Sequence, residues 1–340
     1  MAHKKSFSKF EQFCNIDAKN MVNLADLECV KSFIYEDYEN DLDSIKYEVT
    51  SWCSLYNHAK SNTEKRYGIK LKTYILLDNI AVYDFGKREY FKTDNAYAMT
   101  YGHLEQHNSR LNSARYNKHY SIIIGKDLIC ELCREIKNNN DVDFDIIYSQ
   151  LVELTGWERP VKQFTSFYNR LIFSVSVNAI LYHEVLHIMK FNTDNSNDMP
   201  EEREADNFAG FLVTNFFSTL LHPDNKIYSN LTSATTRFKH AAYLVLTGAM
   251  LVPHTLKVLQ GIQNQSEDYD SSLARMWSYI SEFFNYIKRQ NFINPEEAET
   301  ILLNCFCAFL RCNNTIAIQY LKIIENELNV NILIDKTIQT

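Results

Sequence analysis

The sequence predicts an α+β protein that is mainly helical, with a small antiparallel or mixed β-sheet near its N-terminus. Only 8 glycines and 5 prolines occur among 340 residues, which suits a helical chain with few tight hairpins. From about residue 143, apolar residues recur with the helical period. Before that point, short segments rich in β-branched and aromatic residues are typical of strands.

The sheet is predicted within an N-terminal region, residues 1–125. Its first part, residues 1–65, has the pattern of short helices with acidic stretches. Three later segments have strand composition, namely residues 69–77, 80–85 and 119–125. The first two flank a turn signal at Asp78-Asn79, and the polar stretch 86–117 is expected to be a loop or a flap.

The second region, residues 126–340, is predicted to be helical with no obvious linker. A long apolar helix runs from near Val161 to Lys190, and another begins at Pro200, where proline and acidic residues suit a helix N-terminus. Further helices are predicted at Thr235–Gln263 with a break or kink near Pro253, Tyr269–Arg289, Pro295–Cys312 and Ala317–Leu328.

The charge and the apolar runs argue against several classes of partner. A net charge of −7 and a pI of about 5.8 do not favour binding to nucleic acid or to anionic lipid. The first residues are polar and lack the apolar core of a signal peptide. The longest apolar runs, residues 171–189 and 241–252, are interrupted or short and indicate buried helices. We therefore expect a cytoplasmic protein without a membrane partner.

The cysteines are expected to be reduced thiols, because the chain shows no export signal. Cys130 and Cys133 form a C-x-x-C pair that is compatible with half a zinc site or with a redox pair. The simpler interpretation is two small apolar residues on one helix face, since residues i and i+3 are neighbours there. The absence of a second C-x-x-C pair at zinc-ribbon spacing favours that interpretation.

The motif that carries chemistry is H-E-x-x-H at residues 183–187. On a helix, residues i and i+4 face the same way, so His183 and His187 can bind one metal ion. Glu184 then lies beside the open coordination position as a candidate catalytic base. Two surface or core-edge histidines on an ordinary helix are the alternative.

A third ligand is predicted after a polar loop, at the start of E-x-x-A-D. A second helix returning antiparallel would direct Glu202 at the metal, giving the three protein ligands that are usual for catalytic zinc. Asp206, one turn further along, can accept a hydrogen bond from the free N–H of a ligand imidazole. Two imidazoles and one carboxylate suit a single Zn²⁺ ion.

These motifs resemble a known group of enzymes. H-E-x-x-H followed by E-x-x-A-D is similar to gluzincin-type zinc metallopeptidases, which implies a zincin-like helical core. More narrowly, NAILYHEVLHI (residues 178–188) and EEREADNFAGFLV (residues 201–213) resemble the Lit phage-exclusion peptidases of bacteria. The close similarity covers roughly residues 173–215, and the first 115 residues have no firm counterpart.

The resemblance implies an endopeptidase that acts inside the bacterial cell during phage infection. In the Lit family the target is translation elongation factor Tu, which is cut so that protein synthesis stops and the infected cell dies. By position, His183, His187 and Glu202 correspond to the zinc ligands and Glu184 to the catalytic residue. A protein substrate and a phage-derived activator are the partners that the resemblance implies.

The chain departs from the family further along. Related enzymes carry His-Pro followed by an arginine near the active site, and the comparable stretch here is residues 268–275. Arg275 matches the arginine, whereas His-Pro is missing. Tyr269 is a candidate hydrogen-bond donor to an oxyanion, as a phenol can be, with a plain surface tyrosine as the alternative. Tyr269 and Arg275 are thus candidate catalytic residues beside Glu184.

Two other functions fit the same residues. The segment EREADNFA also fits peptidases of the ImmA/IrrE type, which relieve repression by acting on a DNA-bound repressor. A non-enzymatic zinc module that holds two helices together is the other alternative, although a purely structural site has no use for Glu184. If the chain is a peptidase, an extended substrate is expected along a strand edge, for which residues 120–124 are the candidate.

Overall fold

Helices predominate in the described part of the chain. The structure, a computed structural model, describes residues 21–22, 27, 29–30, 61, 64–65, 70–76, 81–84, 89–92, 98–102, 119–138, 141–155, 162–190, 199–220, 233–260 and 272–333. Among the elements with described bounds, eight are helices, and they account for most of these residues. The prediction of a mainly helical protein is confirmed.

The helices follow one another along the second half of the chain. They are α1 (Lys126–Asn138), α2 (Phe144–Thr155), α3 (Lys162–Lys190), α4 (Met199–Leu220), α5 (Ala234–Gln260), α6 (Ser272–Arg289), α7 (Pro295–Leu310) and α8 (Asn314–Leu328). Helix α5 continues through Pro253, so the expected break is absent, and the alternative of a kink stays a prediction. Pro253 and its preceding neighbours are buried, and tertiary packing of this kind offsets the backbone hydrogen bond that proline removes.

Six short strands are described in the N-terminal part of the chain. They are β1 (Met21–Val22), β2 (Lys70–Leu76), β3 (Ala81–Asp84), β4 (Glu89–Lys92), β5 (Ala98–Gly102) and β6 (His119–Gly125). Four of them are ordered β1-β2-β6-β5, with β2 parallel to β6 and the other neighbours antiparallel. Strands β3 and β4 form a separate antiparallel pair.

Two expectations about these strands are wrong. Strand β6 has neighbours on both sides, so residues 120–124 are not the expected free edge. Strands β4 and β5 lie within the stretch 86–117 that was expected to be irregular. Local composition does not specify which distant segment a strand pairs with, and that pairing decides both.

The chain forms two compact units. The first contains residues 1–133 and 184–195, and the second contains residues 134–183 and 196–340. Helix α3 is continuous between His183 and Glu184, where the chain passes from one unit to the other. The sequence-based division after residue 125 stays a prediction.

One disulfide lies within the first unit. Cys29 and Cys130 are bonded, although 101 residues separate them in sequence. The expectation of reduced thiols is wrong for this pair, because the fold brings their Cα atoms to 5.4 Å, within the usual disulfide range. Cys133 is buried and lies outside this disulfide, so Cys130 and Cys133 do not form a closed redox pair with each other.

Helix α5 is long and apolar enough to cross a bilayer by length and composition. However, 78% of its most apolar window is buried inside the protein, as in a core helix of a soluble protein. Helices α7 and α8 meet the same criterion only if they are counted together as one span bent by 98°. These features do not decide the location of the protein, and the cytoplasm stays a prediction.

Two glycines mark close helix contacts in the second unit. A Cβ atom on Gly248 of α5 would lie 2.5 Å from the Cβ atom of Val175 on α3. A Cβ atom on Gly210 of α4 would lie 2.3 Å from the carbonyl oxygen of Tyr279 on α6. Both distances are too short for any side chain, so glycine is what lets these helix pairs approach. The second contact positions α6 beside the candidate site.

Candidate metal centre

Helix α3 presents the two histidines of the motif. His183 is buried and His187 is partly exposed, one helical turn further along. The turns of α3 before them are almost entirely buried and include Val175, Val177, Ile180 and Leu181. Burial of an apolar helix on all sides holds its backbone rigidly, which keeps both imidazoles in a fixed arrangement.

The third side chain comes from the first turns of α4. Nε2 of His183 lies 3.3 Å from Oε2 of Glu202. One ligand atom from each of His183, His187 and Glu202 lies within 4.8 Å of the other two. Among the described residues, these three side chains are the group of potential ligands that could hold a metal ion.

The spacing suits a metal ion better than a direct ion pair. Tetrahedral zinc with bonds of about 2.0–2.2 Å to nitrogen and oxygen places neighbouring ligand atoms about 3.3–3.6 Å apart. A charge-assisted N–H···O hydrogen bond is usually shorter, about 2.7–2.9 Å. The 3.3 Å separation between His183 and Glu202 therefore matches two ligands of one ion. The residues present thus fit a small divalent cation.

Asp206 occupies the other side of the His183 ring. Its Oδ1 lies 2.8 Å from Nδ1 of His183, which is the contact predicted from the sequence. Asp206 is completely buried, one turn beyond Glu202 on α4. If Nδ1 carries the proton and donates it to Asp206, the lone pair of Nε2 faces Glu202, as a metal ligand requires.

Arg275 of α6 binds Asp206 through two hydrogen bonds. Its Nε donates to Oδ2 at 2.8 Å, and its Nη2 donates to Oδ1 at 2.9 Å. The same Nη2 lies 3.8 Å from Oε2 of Glu202. The sequence predicted Arg275 as a catalytic residue, and the structure places it against the two acidic side chains of α4.

Tyr279 is a member of the site that the sequence did not identify. Its hydroxyl lies 3.3 Å from Nδ1 of His183, and the two rings stack with centroids 6.1 Å apart and planes inclined by 16°. It follows Arg275 by one helical turn, so position alone could have suggested it. However, α6 also buries Trp277, Phe283 and Phe284, and no sequence pattern separates Tyr279 from these core aromatics.

The remaining predicted residues have different outcomes. Glu184 follows His183 on α3 and is buried, with 5% of its surface exposed. Tyr269 lies outside the described residues, so its predicted role stays a prediction. His254 is buried with Nε2 3.9 Å from Oε2 of Glu135, and it is not a member of the three-ligand group.

The charges around His183 favour a cation at this position. Burial would lower the pKa of His183, but hydrogen bonds and charge from Asp206 and Glu202 outweigh burial and raise it to about 10. Burial would likewise raise the pKa of Asp206, yet the Arg275 guanidinium and His183 bring it below its usual value. Carboxylates that stabilise a proton on an imidazole also stabilise a metal ion that replaces the proton.

Comparison with known proteins identifies no relative. No protein-family model matches the chain, and no curated protein or solved structure matches it significantly. The resemblance to Lit peptidases therefore depends on the motif residues alone. A function has to be argued from the chemistry of the site.

Proposed function

We propose that the chain is a zinc-dependent endopeptidase with His183, His187 and Glu202 as ligands. The observation that supports this most directly is the convergence of two imidazoles and one carboxylate within 4.8 Å. Three protein ligands are characteristic of catalytic zinc, whereas structural sites usually have four. A zinc ion bound there would supply a Lewis acid and lower the pKa of a coordinated water from 15.7 to about 7.

Glu184 is the residue that would move protons in this reaction. It directly follows the first ligand on α3 and is buried, so its carboxylate acts where bulk water competes little. As general base it would accept a proton from the attacking water, and it would then deliver that proton to the leaving amine. A well-placed group of this kind contributes about 10²–10⁴ in rate.

The other side chains would prepare the ligands. Asp206 accepts the Nδ1 proton of His183 and so keeps Nε2 available for the metal. Glu202 adds one negative charge, which suits a borderline-soft ion such as zinc in a mixed nitrogen and oxygen site.

The substrate part of the proposal comes from the resemblance to Lit peptidases. It implies that the enzyme cuts a host translation factor similar to elongation factor Tu and thereby stops phage propagation. The net charge of −7 agrees with a protein substrate rather than a nucleic acid. The enzyme would depend on an activator of phage origin, so cleavage would not begin until infection.

The test compares the wild type with Glu184→Gln, using Glu204→Gln as the matched control on the exposed face of α4. We expect all three proteins to bind one zinc ion and to melt at similar temperatures. New peptide ends in a lysate of phage-infected bacteria, which would contain the activator, should appear with the wild type and Glu204→Gln, and should be reduced about 10²–10⁴-fold with Glu184→Gln. Full cleavage by Glu184→Gln would contradict its role as the base, and absence of zinc from the wild type would contradict the whole proposal.

A further inference from the structure

Helix α6 contacts the candidate metal centre behind the ligand His183. Its side chains at 275 and 279 approach Asp206 and the Nδ1 side of the imidazole. Neither of these two side chains belongs to the group that can hold the metal ion. Their contacts therefore pose a separate question about what keeps the His183 ligand in place.

The pairing of Arg275 with Asp206 is specific in geometry. Two parallel N–H donors meet the two carboxylate oxygens at 2.8 and 2.9 Å, which fixes the plane of the carboxylate as well as its position. The Arg275 side chain is 12% exposed and the Asp206 side chain is not exposed at all. A lysine could supply the charge here but not the paired donors.

Asp206, held in this way, in turn restricts the orientation of the His183 ring. Its Oδ1 accepts from Arg275 and also lies 2.8 Å from Nδ1 of His183, so one oxygen is shared by the two contacts. A carboxylate held on one side by a guanidinium has little freedom to rotate. The imidazole that donates to it is therefore held in one tautomer and one ring orientation.

Tyr279 restricts the same ring from a second direction. It is 2% exposed, and its ring lies nearly parallel to that of His183. Its hydroxyl oxygen lies 3.3 Å from Nδ1, close enough to share the proton donated mainly to Asp206. Because the phenol is fully packed in the core, it limits tilting of the imidazole.

The distance between α4 and α6 depends on Gly210. This residue is one turn beyond Asp206, and Tyr279 is one turn beyond Arg275, so this close backbone approach adjoins the hydrogen-bonded pair. The nearest obstacle to a Cβ atom at Gly210 is a backbone carbonyl at 2.3 Å, which cannot move aside like a flexible side chain. Any larger residue must push the helices apart.

We propose that Arg275 and Tyr279 are positioning residues for the metal ligand His183, with Arg275 acting through Asp206 and Gly210 setting the helix distance. This inference rests only on the metal-binding part of the proposed function. It replaces the sequence-based expectation that Arg275 is a catalytic residue. Its consequence is that changes on α6 weaken metal binding even though α6 supplies no ligand.

The first experiment measures zinc affinity by competition with a chromophoric chelator. Arg275→Met and Arg275→Lys should each weaken zinc binding about 10–100-fold, as loss of a group that orients a ligand does. Lys239→Met is the matched control, because Lys239 pairs with Glu297 at 2.7 Å in the same unit but away from the site. Its zinc affinity should equal that of the wild type.

A double variant tests whether Arg275 acts through Asp206. Asp206→Asn should weaken zinc binding by a similar factor, and adding Arg275→Met should cause little further loss, because the two residues form one chain of contacts. Additive losses would contradict this path. Unchanged zinc affinity in Arg275→Met with loss of cleavage alone would show a direct catalytic role and overturn the inference.

The remaining variants test Tyr279 and Gly210. Tyr279→Phe should weaken zinc binding, although less than Arg275→Met. Tyr243→Phe removes the hydroxyl of another buried tyrosine and should leave zinc binding unchanged.

Gly210→Ala should lower zinc affinity. In the Gly248→Ala variant, the new Cβ atom would lie too close to Val175, two turns before His183 on α3. This variant should have a lower melting temperature and an unchanged zinc affinity. Equal zinc affinity in all folded variants would contradict the inference, whereas absence of zinc from the wild type would contradict the proposed function itself.

Discussion

His183 and His240 are both buried histidines, yet their surroundings have opposite effects. His183 meets Asp206 and Glu202, and its pKa is raised to about 10 despite burial. His240 on α5 contacts the Tyr168 hydroxyl, and burial lowers its pKa to about 4. The two are 7% and 3% exposed, so burial is similar and the neighbours differ.

This comparison shows what distinguishes a candidate site from a core position. A neutral hydroxyl leaves the cost of burying a charged imidazole uncompensated, so His240 stays neutral. Two carboxylates more than compensate that cost at His183, and the position then favours a cation. The acidic first turns of α4 therefore make His183 different from His240.

The largest expected difference is in zinc binding. His183→Ala removes a ligand and should weaken zinc binding by more than about 100-fold, beyond the effect of losing a group that only orients a ligand. His240→Gln should retain zinc fully, because His240 is not in the three-ligand group. Equilibrium dialysis against zinc measures both, and loss of zinc from the His240 variant would end the distinction between the two histidines.

A second effect is expected in the dependence of stability on pH. His240 binds a proton in the unfolded chain below its usual pKa of 6.5 but in the folded protein only near 4. The unfolded state therefore takes up more protons as pH falls from 6.5 towards 4, and the free energy of unfolding should fall by up to about 3 kcal/mol. Urea unfolding at several pH values checks this, and His240→Gln should show a shallower decline. An equally steep decline in both proteins would contradict the assignment of this decline to His240.

The smallest effect concerns the hydroxyl beside each histidine. Tyr168→Phe removes the hydroxyl that contacts His240 and should lower the free energy of unfolding by about 1 kcal/mol, the usual value of a hydrogen bond. Zinc affinity should not change, in contrast to Tyr279→Phe beside His183. Chemical denaturation and chelator competition measure the two quantities on the same variants. A zinc effect as large in Tyr168→Phe as in Tyr279→Phe would show that any packing loss disturbs the metal.

Local patterns predicted much of the helical region and the ligand group. The long apolar run before the motif predicted a helix from near Val161 to Lys190, and α3 covers Lys162–Lys190. Helical periodicity placed His183 and His187 on one face, and the polar loop after them allowed Glu202 to return to it. These features depend on neighbours in sequence or on a short connection.

Features that depend on distant partners were not predicted. Tyr279 lies 96 residues after His183, and nothing in its own helix marks it as different from other buried aromatics. The bond between Cys29 and Cys130 and the interior position of β6 likewise follow from tertiary pairing. Sequence patterns identified the metal ligands and the supporting Asp206, whereas the contact of Tyr279 with His183 became visible only in three dimensions.

The most direct test is a crystal structure of the zinc-loaded protein with diffraction data at the zinc absorption edge. We expect one anomalous peak about 2.0–2.2 Å from Nε2 of His183, a nitrogen of His187 and a carboxylate oxygen of Glu202, with a fourth position open to solvent. A peak elsewhere, or a fourth protein ligand closing the site, would contradict the metallopeptidase assignment.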